Sequence, residues 1–458
     1  MKKRFAICST IVLLLLLSAC GAPQTLDFSY APEGEELSSL MVETSQTHRA
    51  ELEHVPSAAD FADAISDDPA SAGLLSESEV ESLLRGHAAM ETVSKEQAQS
   101  DVSLLFRTLQ SAYGAYEYFG QEKFDAAEDA VTQWLSSQDD EIKVSALGEK
   151  LQESLAFMLA HDAHAVIYEP AAEEIEAQVR YEYFFADGFY FSKDVNGSYY
   201  MVNDRERWTL SSFSDEHVSV QPTLLQDGRI VYQPTLFALR KDAVQSSVTL
   251  KNSSGKAKIY RLDWTESQPL DVDLGTLDYR LIQEDGLTYV SLRSFVSGTY
   301  DNMLARYARE GAKARGSKAV IYDLRGNVGG SDSWPRKWIQ SFLGTQNSIE
   351  ISMLYAQKNS ALFAAENSES LLPEDEGTCF AREVHGTWYE NDIPIIVLVD
   401  DHCGSSGEGA VQLLKTLDNV LIVGSNTAGY QLCGNISTFT LPYTGIGVRF
   451  GSTLFLYG

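Results

Sequence analysis

Basic residues are scarce in this sequence: 35 Lys and Arg stand against 65 Asp and Glu, for a formal net charge of −30 at neutral pH. A surface so acidic is repelled by phosphate backbones and anionic headgroups, so nucleic acid is excluded as a partner and any membrane contact needs another source. Long apolar runs are also missing. The one strongly apolar stretch, residues 5–17, is too short to span a bilayer, and nothing after it is long and apolar enough to do so. Cysteine is sparse at five residues. There is no His-Glu-x-x-His, and His161 and His164, three apart, have no third ligand at suitable spacing, so neither a metal nor any other cofactor is expected. No internal repeat is visible.

What is present at the start is informative. Lys2, Lys3 and Arg4 precede the short apolar run, which therefore reads as a signal peptide over residues 1–19. Leu17-Ser18-Ala19-Cys20 places small side chains before a cysteine, the arrangement of a lipobox, so Cys20 is the expected lipid attachment point. The mature chain is then expected on the extracytoplasmic side of the cell membrane, touching it only through that lipid. Loss of the three basic residues takes the net charge to about −33. Of the cysteines, Cys379, Cys403 and Cys433 remain, an odd number that allows one disulfide at most and does not say which pair.

The rest divides by pattern. Residues 20–77 are acidic and largely aperiodic, as a flexible linker would be. Over 78–175 the apolar residues recur with helical spacing: Val102, Leu105, Leu109 and Ala112 line one face, and Leu147, Leu151, Leu155, Met158 and Leu159 another. Residues 176–275 alternate short β-favouring runs with turn signals such as Asn196-Gly197. From 276 to 458, strands predicted at 289–292, 319–322, 395–399 and 420–423 alternate with helices at about 300–315 and 406–417, the mark of a layered α/β domain. This last part stops at 458 within a strand-like run, which leaves room for an incomplete C-terminus.

Three segments carry side chains suited to catalysis. Asp162-Ala163-His164 follows a helix. The run from Asp323 through Leu324, Arg325, Gly326, Asn327 and Val328 to Gly329 and Gly330 follows an apolar strand. Gly404-Ser405-Ser406-Gly407-Glu408 lies between a strand and a helix, so unpaired N–H groups and the positive end of the helix dipole fall beside the Ser405 hydroxyl. Histidine is the usual base for activating a serine, and glycine lets a substrate carbonyl approach the backbone closely.

In combination these segments resemble the serine peptidase family of C-terminal processing (tail-specific) proteases and tricorn protease. The resemblance implies Ser405 as nucleophile, three positions before Glu408, and Gly329 and the N–H of Ser406 as oxyanion-hole donors with Gly330 close by. It implies a layered α/β core like that of crotonase and Clp protease, in agreement with the alternation read over 276–458, to which the N-terminal helical domain and the β-rich insert are added. The processing proteases place a lysine base after a Thr-x-Gly turn, whereas Tyr430 follows Thr427-Ala428-Gly429 here. The tricorn-like branch takes its base from an N-terminal histidine, and His164 fits that place. Ala163 stands where that branch often has Gly or Ser, and the acid that supports the histidine has no assigned counterpart. The PDZ domain of the processing proteases is expected to be degenerate or absent, since the β-rich part lacks a carboxylate-binding loop.

The expected function is a lipid-anchored serine hydrolase acting on peptide or protein substrates through Ser405 and His164. The alternative is an inactive peptidase-fold lipoprotein that binds a peptide or apolar ligand, and the two differ in whether Ser405 and His164 come together.

Overall fold

In a computed structural model, residues 35–59, 61, 74–168, 182–186, 188–203, 206–225, 229–238, 246–266, 279–298, 300–366 and 379–458 are described. The expected signal peptide, Cys20 and the first part of the expected linker lie outside these residues. Two compact units emerge, one from Val179–Pro269 with the residues before Glu43, the other from Glu43–Gln178 and Leu270–Gly458.

The linker expectation needs revising, because α1 (Leu37–Glu53) falls inside it. Its inward stripe, Met41, Ser45 and His48, is half polar, so hydropathy does not reveal it. The stripe is held by specific bonds: Ser45 Oγ accepts from the Asn419 N–H at 2.9 Å.

The helical segment starts with α2 (Glu77–Leu84), β1 (Thr92–Ser94) and α3 (Lys95–Ala112). Ser94 caps α3 in a reciprocal pair with Gln97, satisfying donors the first turn leaves open. There follow α4 (Tyr116–Phe119), α5 (Gln121–Ser137), β2 (Glu141–Lys143), α6 (Val144–Ser154), α7 (Ala156–Leu159) and β3 (Val166–Tyr168). The predicted faces are buried: Val102, Leu105, Leu109 and Ala112 on α3, and Leu147, Leu151, Leu155 and Met158 after it. Leu159 is only partly buried.

The β-rich unit holds β4 (Glu182–Ala186), β5 (Ser192–Lys193), β6 (Tyr199–Asn203), β7 (Glu206–Phe213), β8 (Val218–Leu224), β9 (Ile230–Ala238), β10 (Ser247–Asn252), β11 (Ala257–Arg261) and β12 (Trp264–Glu266). They form two sheets, ordered β11-β10-β7-β6-β5 and β12-β4-β9-β8. Phe191, Trp208, Val248 and Leu250 are among the residues of their shared core.

The α/β part runs β13 (Arg280–Glu284), β14 (Leu287–Ser291), α8 (Asp301–Ala314), β15 (Ala319–Asp323), α9 (Ser333–Leu343), β16 (Met353–Lys358), α10 (Ala361–Glu366), β17 (Cys379–Val384), β18 (Ile395–Val399), α11 (Ser406–Leu414), β19 (Val420–Gly424), β20 (Cys433–Thr440) and β21 (Gly447–Tyr457). One sheet is ordered β13-β14-β15-β18-β19, parallel from β14 onward. Parallel strands joined by helices end on the same side, and that edge is where open α/β sheets place their sites. A second, antiparallel sheet is ordered β17-β16-β21-β20, with β3 added to β21. This is the layered α/β fold with helical and β-rich additions that the sequence leads one to expect.

The helical segment shares its core with β20 and β21, since Val102, Leu105 and Leu151 belong to one apolar cluster with Phe439, Val448 and Phe450. Helices and sheet are therefore one packed body, although they are separated in the chain by the β-rich insert.

Candidate active site

β15 and β18 are neighbours, with Asp323 opposite Leu398, so the loops that leave their ends are adjacent. After β15 the chain makes a clamp around Asp323. This fully buried carboxylate accepts from Arg325 at 2.7 and 2.9 Å, from Tyr289 at 2.7 Å and from Arg293 at 3.2 Å. Burial works to raise its pKa, but these donors overcome burial and hold the group well below the usual carboxylate range. The clamp fixes the direction in which the loop leaves the sheet.

Asn327 then ties the two loops together. Its Nδ2 donates to the Leu292 carbonyl at 2.8 Å, its Oδ1 accepts from the Gly329 N–H at 2.9 Å, and its carbonyl accepts from the Gly404 N–H at 2.9 Å. A second lace joins the Gly326 N–H to Asp400 Oδ1 at 2.8 Å. Gly329 is consequently pressed against the serine turn. A Cβ on it would stand 2.7 Å from the Ser405 Cβ and 3.0 Å from the Ser406 nitrogen. Gly330 has φ +137°, and a Cβ there would lie 2.1 Å from the Phe295 carbonyl carbon, so both positions require glycine.

Ser405 heads α11 with φ 52° and ψ −121°. This left-handed conformation is strained for a residue with a Cβ and resembles the sharp strand-to-helix turns that can present a nucleophile above a sheet. What holds it is Glu408, buried to 3% exposure. One carboxylate oxygen of Glu408 accepts from the Ser405 N–H and the Tyr430 N–H, each at 2.9 Å. The other accepts from Thr427 Oγ1 at 2.7 Å and the Gly429 N–H at 2.8 Å. Burial raises the Glu408 pKa and the four donors oppose it. Val411 and Leu414 of α11, and Leu417 just after it, face the core as their spacing predicts, seating the turn on a rigid element.

The structure distributes the candidate oxyanion donors unequally. The Gly329 N–H is already used by Asn327, whereas among the described residues neither the Gly330 N–H nor the Ser406 N–H donates a hydrogen bond. The Ser406 hydroxyl donates to the Gly330 carbonyl at 2.8 Å, which holds these two segments side by side.

His164 is delivered by a separate route. β3 follows it and pairs with β21, Val166 lying opposite Arg449, and this carries the histidine to the start of β20. There its Nδ1 meets the Cys433 carbonyl at 2.7 Å. A carbonyl only accepts, so Nδ1 bears the proton and Nε2 has the free lone pair that a general base needs. Burial lowers the His164 pKa from 6.5 to about 4, with the nearby Arg449 adding to the effect and the Cys433 carbonyl opposing it.

Tyr430 lies close to His164 and to Gly404. Its ring meets the His164 ring edge-on at 4.6 Å, and its Cδ2 lies 2.8 Å from where a Cβ on Gly404 would be. No hydrogen bond joins Ser405 to His164 among the described residues. Ser405, Ser406, Gly329 and Gly330 thus converge directly, and Tyr430 touches both the His164 ring and the backbone beside Ser405.

Sequence reasoning missed the Cys433 carbonyl, a backbone group with no side-chain signature. It also left Asn327 and Asp400 without roles, though the first lies in the motif and the second directly follows an apolar strand. Cys403 and Cys433 are buried and make no disulfide, and burial pushes both thiols up. Among the described residues no group of three His, Cys, Asp or Glu is placed to hold a metal, and no helix is long and apolar enough to cross a membrane.

Comparison with the curated proteins finds no match. Among solved structures the chain is similar to mature CPAF, at 14% identity over 79% of this chain and 89% of that one, with a TM-score of 0.41. A photosystem II D1 C-terminal processing protease matches at 14% identity, 79% and 88% coverage and a TM-score of 0.34. A lipoprotein from Streptococcus agalactiae matches at 14% identity, 80% and 86% coverage and a TM-score of 0.32. Residues 286–452, which include both strand-end loops and the whole of α11, match the model of peptidase family S41, and the peptidase resemblance carried by the motifs is thereby shown for the α/β core.

Proposed function

We propose that this chain is a lipid-anchored serine peptidase in which Ser405 is the nucleophile and His164 the base. The observation that carries the reading is the strained Ser405 turn at the head of α11, flanked by the undonated N–H groups of Ser406 and Gly330. His164 Nε2 takes the proton of Ser405 Oγ as the oxygen bonds to the scissile carbonyl carbon. The resulting oxyanion is held by the N–H groups of Gly330 and Ser406 and by the positive end of the α11 dipole. Collapse breaks the C–N bond, and His164 returns the proton to the departing amine. Water then attacks the acyl-serine by the same route, releasing the acid and restoring Ser405. Gly329 serves as the spacer that lets the two loops touch. The mechanism requires His164 Nε2 and Ser405 Oγ to come within hydrogen-bond reach when substrate binds, as catalytic hydrogen bonds commonly do.

A fluorophosphonate probe tests this, because it phosphonylates a serine only where base and oxyanion hole act together. The expected result is one adduct per chain, mapped to Ser405 by peptide mass. Absence of labelling with the native fold intact would favour a non-catalytic peptide-binding lipoprotein.

The anchor makes a separate prediction. Cys20→Ala is expected to move the protein from the membrane pellet to the soluble fraction after carbonate washing, without changing probe labelling. Retention in the pellet would assign the anchor to some other feature.

A further inference from the structure

His164 is fixed by more than its own hydrogen bond. Its backbone N–H donates to Asp162 Oδ1 at 3.0 Å, and the other oxygen of Asp162 accepts from the Tyr113 hydroxyl at 3.0 Å. The Cys433 carbonyl accepts the His164 Nδ1 proton at 2.7 Å, and the Cys433 thiol adjoins the Asp162 carboxylate, the two interacting electrostatically. His164 is therefore held at two points, its backbone by Asp162 and its ring by the carbonyl of Cys433, whose thiol adjoins that same Asp162. All the supporting groups are buried, Asp162 and Tyr113 at 0% exposure and Cys433 at 1%.

Each member is immobilised by packing of its own. Tyr113 lies edge-on to Phe450 at 5.6 Å and to Phe124 at 6.4 Å. Cys433 pairs with Leu454 in the β20–β21 ladder. Arg449 holds the His164 carbonyl at 3.1 Å from the outer side. Anchoring at both points favours one arrangement of the imidazole and makes the alternative tautomer cost a buried, unpaired carbonyl.

We propose that Tyr113, Asp162 and Cys433 are positioning residues that hold His164 in the Nδ1–H tautomer, replacing the carboxylate partner that a catalytic histidine commonly has. This rests on the reading of His164 as the base, but the network itself can be tested without turnover. A carbonyl partner differs from a carboxylate in one respect that matters. It fixes the tautomer without offering a negative charge to the imidazolium, so the ring stays neutral under conditions in which a carboxylate-paired histidine is protonated. The Asp162 carboxylate bonds to the His164 backbone N–H.

The experiment is long-range proton–nitrogen NMR of the full chain labelled at histidine nitrogen, the His164 signals being assigned by their absence from His164→Gln. The native chain is expected to show His164 in the Nδ1–H form alone, with a slowly exchanging ring proton. Tyr113→Phe and Cys433→Ala are expected to give averaged nitrogen shifts and ring-proton exchange roughly tenfold faster or more, as a loosened network would. Cys433→Ser, which keeps a side-chain donor, is expected to restore the native pattern. Where labelling establishes activity, kcat should fall roughly tenfold in the first two variants at unchanged KM. The proposal is overturned by an Nε2–H form in the native chain. It is equally overturned if folded Tyr113→Phe and Cys433→Ala keep the native tautomer and exchange rate. Those readings need no substrate, so they can fail while Ser405 still labels, or hold while it does not.

Discussion

Ser405→Ala is expected to lower kcat by about ten-thousand-fold or more, with KM little changed, because the hydroxyl makes its bond only in the transition state. A fold effect is not the cause, since alanine occupies the same backbone with one atom fewer. Ser405→Gly separates the two contributions. The native φ of 52° is strained for serine and ordinary for glycine, and such strain costs roughly 1–3 kcal/mol. Glycine gives back part of this through its larger entropy in the unfolded chain, roughly 1 kcal/mol. Ser405→Gly is therefore expected to be as inactive as Ser405→Ala but more stable than it by about 1 kcal/mol in denaturant unfolding. If glycine is no more stable than alanine, the turn is not strained and its conformation says nothing about a nucleophile. If Ser405→Ala retains more than about a hundredth of the activity, another residue attacks the substrate.

The parts of this site that could be read from the sequence are those that local pattern controls. A run such as Ile395-Ile396-Val397-Leu398-Val399 can only be a buried strand, and α11 shows its face through Val411 and Leu414, so a serine between them has a definable place. The β14, β15, β18 and β19 strands are legible for the same reason. What escaped is set by long-range pairing. His164 is placed by β3 joining β21, nearly 280 residues downstream, and by a carbonyl whose residue type is irrelevant to the bond. The sharing of one core between α3 and β20–β21 is invisible for the same reason, since an inward stripe does not say against what it packs. The candidate oxyanion donors were legible only as a cluster. Which glycine N–H is open depends on the Asn327 rotamer, and that follows from the whole fold of the loop.

On the proposed mechanism, His164→Ala is expected to be nearly as severe as Ser405→Ala, because base and nucleophile would act as one unit. Its diagnostic value lies in pH. Burial lowers the His164 pKa from 6.5 to about 4, so the base is unprotonated above that value, and the acid limb of kcat/KM is expected near pH 4 instead of near 6.5. Stability follows the same group with a definite sign. The folded pKa lies below the unfolded one, so between about 6.5 and 4 the unfolded chain binds more protons, and acidification favours unfolding over that window. At 1.36 kcal/mol per pKa unit, the stability present above pH 6.5 is reduced by about 3 kcal/mol once the pH has fallen below 4. His48, lowered to about 4 by its own burial, titrates over the same window, so the unfolding curve of the native chain alone does not isolate His164. The difference between native and His164→Gln does, because His48 contributes equally to both. That difference is expected to be flat above pH 6.5 and to close by about 3 kcal/mol on going down to pH 4. A difference that does not change with pH would mean that His164 is not buried as a neutral ring. An acid limb that stays near pH 6.5 would mean that some other group supplies the base for Ser405.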